Sequence, residues 1–150
     1  MCVPLFAAAC GSSTSATTTT TAKARPTQKQ FVAAANAVCV RSDRAVFRLG
    51  RLTRDPAGWA RTAAEARRAV ADMRKVAPAA GRDDGFGHLL TLGQRLATQI
   101  QNVHDDLVKQ SYTKAFEAQT AATNADTAIH RQAQKLGLTF CQQLLTNWPA

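Results

Sequence analysis

The apolar residues of this chain recur at alternating steps of three and four along four consecutive stretches, and this spacing restricts the fold more than any other feature. Such spacing places the apolar side chains on one face of an α-helix. The four stretches are rich in Ala, Leu, Arg and Gln, which favour helices, and no sustained alternation typical of a β-strand interrupts them. The sequence therefore predicts an all-α protein.

Residues that begin or end helices separate the four stretches, and the connections between them are short. Short connections make consecutive helices neighbours, so we expect an antiparallel up-down four-helix bundle over residues 27–150 that ends in a short helical tail after Gly137. Because Gln110-Ser111-Tyr112 is a weak break, the alternative is one long helix through this region and a long helical hairpin. The candidate caps and breakers are Thr27, Asp55, Pro56, Pro78, Gly81, Asp84, Ser111 and Gly137.

The first nine residues are expected to be a leader that is not part of the bundle. They form a short apolar run ending in Ala7-Ala8-Ala9, and Cys10, Gly and Ser follow. This order resembles a bacterial lipoprotein signal, in which cleavage follows the small residues and the cysteine carries the lipid. The resemblance implies lipid attachment at Cys10. The run is short and has no Lys or Arg, which a start site farther upstream would explain; an ordinary N-terminus with a chance cysteine is the alternative.

Residues 10–26 are expected to be a disordered tether. They are rich in Ser and Thr, and the stretch from Gly11 to Thr21 has no large apolar side chain, so it cannot bury enough surface to offset its chain entropy. No run of 18 apolar residues that would form a membrane-spanning helix occurs in the chain. A lipid-anchored domain on the extracytoplasmic face of the cell membrane is therefore the expected location.

The four cysteines have different expected roles. Cys2 lies in the leader and Cys10 is the lipid site, so Cys39 and Cys141 remain within the bundle. An even pair in an exported domain indicates a disulfide, which requires the tail to fold back along the first helix. Two free thiols in a cytosolic bundle are the alternative.

The surroundings of these two cysteines carry a further resemblance. Ala37-Val38-Cys39 and Leu136-Gly137-Leu138-Thr139-Phe140-Cys141 are similar to the corresponding segments of small exported helical lipoproteins from high-GC Gram-positive bacteria. The resemblance spans most of the domain and implies an exported two-cysteine helical domain without an assigned activity.

The net charge of +9 is concentrated in one part of the chain. Residues 41–76 contain ten basic and four acidic residues, whereas residues 77–150 contain six of each. Arginines suit phosphate and carboxylate partners, here anionic lipid headgroups or wall polymers, although a plain solvated face is the alternative. Nucleic acid is disfavoured because aromatics for stacking are few and no zinc-finger or basic-zipper pattern occurs. The candidate polyanion face consists of Arg41, Arg44, Arg48, Arg51, Arg54, Arg61 and Arg68.

The chemistry expected of an enzyme is weakly represented. Glu65 and Glu117 are the only glutamates, and no Glu-x-x-His of a di-metal bundle occurs. Asp126 and His130 lie one helical turn apart, and His88 on a neighbouring helix would be needed for even a weak metal site. We therefore expect no catalytic residues, cofactor or metal, and a non-enzymatic binding or structural module. A metal- or small-ligand-binding envelope sensor or carrier is the alternative, and a nucleic-acid-binding protein a more distant one.

Overall fold

The computed structural model describes residues 24–50 and 54–142, and these residues form a four-helix bundle without β-strands. The predicted fold class is therefore confirmed. No helix in the described part of the chain is long and apolar enough to span a membrane. The elements are α1 (Gln28–Arg48), α2 (Pro56–Met73), α3 (Asp83–Val108), α4 (Tyr112–Leu136) and a single 3₁₀ turn (Phe140–Gln142).

The first two helices begin at the residues that the sequence predicts. Thr27 and Gln30 form a capping box at the start of α1, in which each side chain bonds the backbone N–H of the other residue. At the start of α2 the Asp55 carboxylate accepts hydrogen bonds from the backbone N–H groups of Ala57 and Gly58. Both caps satisfy amide groups that have no partner within the helix.

The break between α3 and α4 is real, so the alternative of one long helix is wrong. The chain turns at residues 109–111, and Gln110 adopts a positive φ of 57°, which no helical residue has. Ser111 stands at the N-cap position of α4, but its side chain makes no capping hydrogen bond. At the other end of α4, Gly137 has a φ of 77°, the left-handed conformation that ends a helix.

The segment after α4 returns to α1, as the disulfide prediction requires. The backbone N–H of Leu138 bonds the carbonyl of Ala133, and the Leu138 side chain is fully buried. The Sγ atoms of Cys39 and Cys141 are at bonding distance, and their Cα atoms are 5.0 Å apart. The expected helical tail is one 3₁₀ turn as far as it is described, and residues 143–150 lie outside the described residues.

The core joins α1 to the α3–α4 hairpin near one end of the bundle. Phe31 of α1 packs edge-to-face on Phe86 of α3, with ring centroids 5.4 Å apart. The Gln28 side chain donates a hydrogen bond to the carbonyl of Leu136 at 3.1 Å. Just before α1, Arg25 forms an ion pair with Asp83 at 2.6 Å. These contacts fix the N-terminal half of α1, whereas Phe47 near its C-terminal end is 70% exposed.

Candidate functional site

Four of the predicted arginines line one groove between α1 and α2, which has a volume of about 400 Å³. Arg41, Arg44 and Arg48 project from α1 at steps of three and four residues, so they share one helix face. Arg68 reaches the same groove from α2. All four side chains are exposed, and therefore accessible to a ligand in solution.

Two carboxylates also line the groove and neutralise part of its charge. Glu65 lies 3.4 Å from an Nη atom of Arg68. Asp72 accepts a hydrogen bond of 2.7 Å from Lys75, and this bond together with the nearby charges of Lys75, Arg41 and Arg68 lowers the pKa of the Asp72 carboxyl. Both carboxylates are thus already engaged, one by Arg68 of α2 and the other by Lys75 just after this helix.

Three arginines of the groove have no such carboxylate. Within the described residues, Arg41, Arg44 and Arg48 have no carboxylate oxygen within 4 Å. Their guanidinium groups present planar sets of N–H donors that match the oxygens of carboxylates and phosphates. The α1 side of the groove is therefore the part that is electrostatically open to an anion.

The other predicted arginines lie elsewhere. Arg54 stands over the ring of Tyr112, with the guanidinium carbon 6.0 Å from the ring centroid. An Nη atom of Arg61 is 3.9 Å from the carboxylate of Asp55, which caps α2. Neither lines the groove, and Arg51 lies outside the described residues. The predicted face of seven arginines is thus four in one groove and two near the start of α2.

An apolar cavity that sequence reasoning missed lies mainly among α1, α2 and α3, and Ile129 of α4 and Cys141 also line it; its volume is about 90 Å³. Almost all of its lining is aliphatic, and Ser42 and Thr62 are the polar residues in it. The Thr62 hydroxyl donates to the carbonyl of Gly58 within its own helix, so this polar group is satisfied. The aliphatic lining includes Val38, Val46, Ala66, Ala69, Val70, Leu90, Gly93, Leu96 and Ile100.

Small residues explain why space remains at this place. Ala66 and Ala69 of α2 face the cavity with one methyl group each, and Gly93 of α3 has no side chain. At Gly93 the two helices are already close, because a Cβ atom built there would lie 2.9 Å from a methyl carbon of Val70. The helices therefore cannot close further to fill the cavity. Alanine and glycine at facing positions were the available signal, although the same pattern also predicts close packing.

A second polar feature, the pair Asp126 and His130, lies on α4. Asp126 is only 7% exposed, and one of its carboxylate oxygens lies 3.4 Å from Nε2 of His130. Asp126 Oδ1 and His130 Nε2 have no hydrogen-bond partner among the described residues. Burial raises the pKa of Asp126 to about 7 and lowers the pKa of His130, so desolvation outweighs the mutual attraction that an ion pair would contribute.

The third residue considered for a metal site does not join this pair. His88 is exposed on α3, and the described residues contain no group of three His, Cys, Asp or Glu side chains positioned to hold a metal ion. The remaining histidine, His104, has its Nδ1 atom 2.9 Å from the carbonyl oxygen of Pro56 and so connects α3 to the start of α2. The polar residues thus offer no assembled metal centre in residues 24–50 and 54–142.

Fold and site together define a class of protein: an all-α bundle with a cysteine pair between its first helix and its C-terminal segment, and an arginine-lined groove beside an apolar cavity. Comparison of the chain with protein-family models, with curated proteins and with solved structures gave no match. The predicted leader and Cys10 lie outside the described residues.

Proposed function

We propose that this protein is a non-enzymatic binding module, held on the extracytoplasmic face of the cell membrane by a lipid on Cys10. In this proposal the arginine groove binds the anionic groups of lipid headgroups or wall polymers. The observation that carries the proposal is the presence of Arg41, Arg44 and Arg48 in one exposed groove, with no carboxylate of residues 24–50 and 54–142 within 4 Å.

Electrostatic attraction of this size is most effective for a protein that is already held near the anionic surface. A basic residue close to an anionic membrane contributes about 1 kcal/mol, and this attraction falls off within a Debye length of about 10 Å at 0.1 M salt. A few such residues give weak binding for a protein free in solution. A lipid anchor would keep the groove close to the charged envelope and so make weak binding effective.

The groove is tested by sedimentation of residues 24–150 with vesicles of phosphatidylglycerol and phosphatidylcholine. We expect binding to the anionic vesicles that weakens as salt rises, and little binding to phosphatidylcholine alone. The double variant Arg44→Gln/Arg48→Gln removes two charges, which corresponds to roughly 30-fold weaker binding at about 1 kcal/mol each. Isolated anionic wall polymer and duplex DNA, added as competitors, rank the possible polyanions.

A matched control separates the groove from net charge. The variant Arg95→Gln/Arg131→Gln removes the same charge from exposed positions of α3 and α4. We expect this control to bind nearly as well as the unmodified protein. Equal weakening by both double variants would show that overall charge, and not the groove, attracts the vesicles. Binding that does not depend on salt would contradict the proposal, and preference for DNA would favour the nucleic-acid alternative.

The anchor is tested in cells that express the protein from its native gene. Cys10→Ser is expected to abolish incorporation of labelled palmitate and to release the protein from the membrane fraction. Cys2→Ser, eight residues earlier, is the control and leaves both unchanged because the proposed processing removes that residue. Membrane association of the Cys10→Ser protein at high salt would refute the lipid anchor.

A small-ligand carrier is the second candidate function, and the apolar cavity favours it. Binding sites for small molecules are concave and mostly apolar, with few polar groups at their edge. The cavity among α1, α2 and α3 has this composition, whereas no assembled metal site occurs in the described residues.

A further inference from the structure

The cavity and the groove are neighbours and share three lining residues. Val38, Ser42 and Ala69 line both, so the apolar space and the arginine-lined space meet along the seam between α1 and α2. Val38 and Ser42 are one helical turn apart on α1, and Ala69 faces them from α2. The two spaces therefore adjoin each other along this seam.

The cavity also reaches the surface. Val46, Ala66, Val70 and Gly93 line it and are only half-buried, which places part of its boundary at the protein surface. A small molecule can therefore enter without unfolding of the bundle. Exposed apolar surface of this kind is shielded from water when an apolar group occupies it.

The volume limits what fits inside. A cavity of about 150 Å³ holds benzene, whereas this one measures about 90 Å³. A short or branched hydrocarbon end therefore suits this space better than an aromatic ring.

We propose that the cavity and the arginine groove form one binding site for a short anionic amphiphile. Its hydrocarbon end occupies the apolar cavity, and its carboxylate or phosphate lies over Val38, Ser42 and Ala69 toward the free guanidinium groups of Arg41, Arg44 and Arg48. The inference rests on the proposed function, because it identifies a ligand class for the same groove.

The test compares four probes that differ in one property each: hexanoate, hexyl phosphate, hexanol and hexylammonium. Binding to residues 24–150 is followed by the NMR shifts of the methyl groups of Ala66, Ala69 and Val70. We expect the two anions to bind at least tenfold more tightly than hexanol, and hexylammonium to bind most weakly. Inorganic phosphate should bind at least tenfold more weakly than hexyl phosphate and leave the Ala66 methyl unshifted.

Two kinds of variant separate the parts of the site. Arg44→Gln/Arg48→Gln should weaken the anions about tenfold and leave hexanol unchanged. Ala66→Leu fills the cavity without altering the groove and should abolish binding of all four probes, whereas Ala64→Leu, on an exposed face of the same helix, should not. If circular dichroism shows that Ala66→Leu does not fold, Ala66→Val takes its place, with at least tenfold weaker binding expected.

The outcomes also distinguish this inference from the proposed function. Ala66→Leu should still sediment with phosphatidylglycerol vesicles, because the arginines remain. Any of three results would overturn the proposal of an amphiphile site. These are equal binding of hexanoate and hexylammonium, equal binding of phosphate and hexyl phosphate, and unchanged probe binding by Ala66→Leu. Those results would not affect the interpretation of the vesicle experiment. Absence of vesicle binding by the unmodified protein would instead refute the proposed function.

Discussion

The two helical hairpins of this protein differ in both packing and charge. The α3–α4 hairpin has helices of 26 and 25 residues that pack along one another and bury fifteen residues, whereas α1 and α2 have 21 and 18 residues and bury nine. Residues 41–76 have more basic than acidic residues, whereas residues 77–150 have equal numbers of each. The core of the bundle thus belongs mainly to the hairpin without excess charge.

This difference between the hairpins coincides with the position of the groove and the cavity. Protein interiors are closely packed, so unfilled space and unpaired charge are informative where they occur together. The arginine groove lies between α1 and α2, and the apolar cavity extends from there to α3. Under the proposed function, α3–α4 supplies most of the stability and α1–α2 supplies the surface for binding. The following predictions test that division.

The largest effect is expected from breaking the covalent connection of α1. A bridge between Cys39 and Cys141 closes a loop with a sequence separation of 102, for which chain entropy gives up to about 4.7 kcal/mol. In Cys39→Ala/Cys141→Ala we expect stability to fall by several kcal/mol and amide exchange to rise throughout α1, while the central amides of α3 and α4 stay protected.

Treatment of the protein with a reducing agent is the control for this prediction. It should reproduce the double variant in the unmodified protein and have no effect on the double variant. Simultaneous loss of protection in all four helices would show that the two hairpins form a single cooperative unit, and the division into two parts would then be wrong.

The second effect belongs to the α3–α4 hairpin and depends on pH. The unfolded Asp126 carboxyl ionises near its ordinary pKa of 3.8, whereas the folded one keeps its proton up to about pH 7. The unfolded state therefore binds fewer protons between these values, so stability falls as pH rises through this window, by up to about 4 kcal/mol. Asp126→Asn cannot ionise, and we expect it to be more stable than the unmodified protein at pH 8.

His130 contributes a pH dependence of stability with the opposite sign, and this contribution must be separated from that of Asp126. Its lowered pKa means that the unfolded state binds more protons below about pH 6.5, so this residue makes stability rise with pH. Urea denaturation at pH 5 and pH 8 should therefore show a gain in stability for Asp126→Asn that is much larger at pH 8. Glu117→Gln, at an exposed position of α4, should show no such gain. A gain independent of pH would mean that Asp126 is ionised in the folded protein throughout.

A smaller effect is expected where α4 ends and the chain turns back to α1. Gly137 has a φ of 77°, and a side chain in this conformation costs roughly 1–2 kcal/mol. Gly137→Ala should lower stability by about that amount. Gly87→Ala lies inside α3, and the added Cβ would meet no described atom within 4 Å apart from its own neighbours along the helix, so it should instead raise stability by about 0.5–1 kcal/mol. Thermal unfolding measures both, and a stable Gly137→Ala variant would show that this glycine does not direct the return.

Much of the fold follows from local sequence patterns. Thr27, Asp55 and Gly137 act through groups only a few residues away, so spacing and residue type are sufficient to predict their positions. The proximity of Cys39 and Cys141 was also predictable, because only two cysteines remain in the domain once the first two are assigned. These inferences need no knowledge of how the helices pack.

The site was only partly predictable, because it depends on contacts between helices. Spacing places Arg41, Arg44 and Arg48 on one face, but only the packing of α2 against α1 brings Arg68 into the same groove. The cavity left by Ala66 and Gly93 depends on how closely α2 approaches α3, and helical periodicity does not report that distance. The desolvation that shifts the pKa of Asp126 likewise comes from tertiary burial.

The smallest effect separates two capping residues that look alike in the sequence. Asp55 of the α1–α2 hairpin accepts two backbone hydrogen bonds, whereas Ser111 of the α3–α4 hairpin makes none with its side chain. Loss of an N-cap costs about 1 kcal/mol, so Asp55→Ala should lower stability by that amount and Ser111→Ala should change it by only a few tenths. Urea denaturation midpoints at constant pH measure both. If Ser111→Ala proved as costly as Asp55→Ala, the α3–α4 hairpin would depend on its turn as the α1–α2 hairpin does. An unequal pair of effects would instead show that packing between long helices can hold a turn that lacks a side-chain cap.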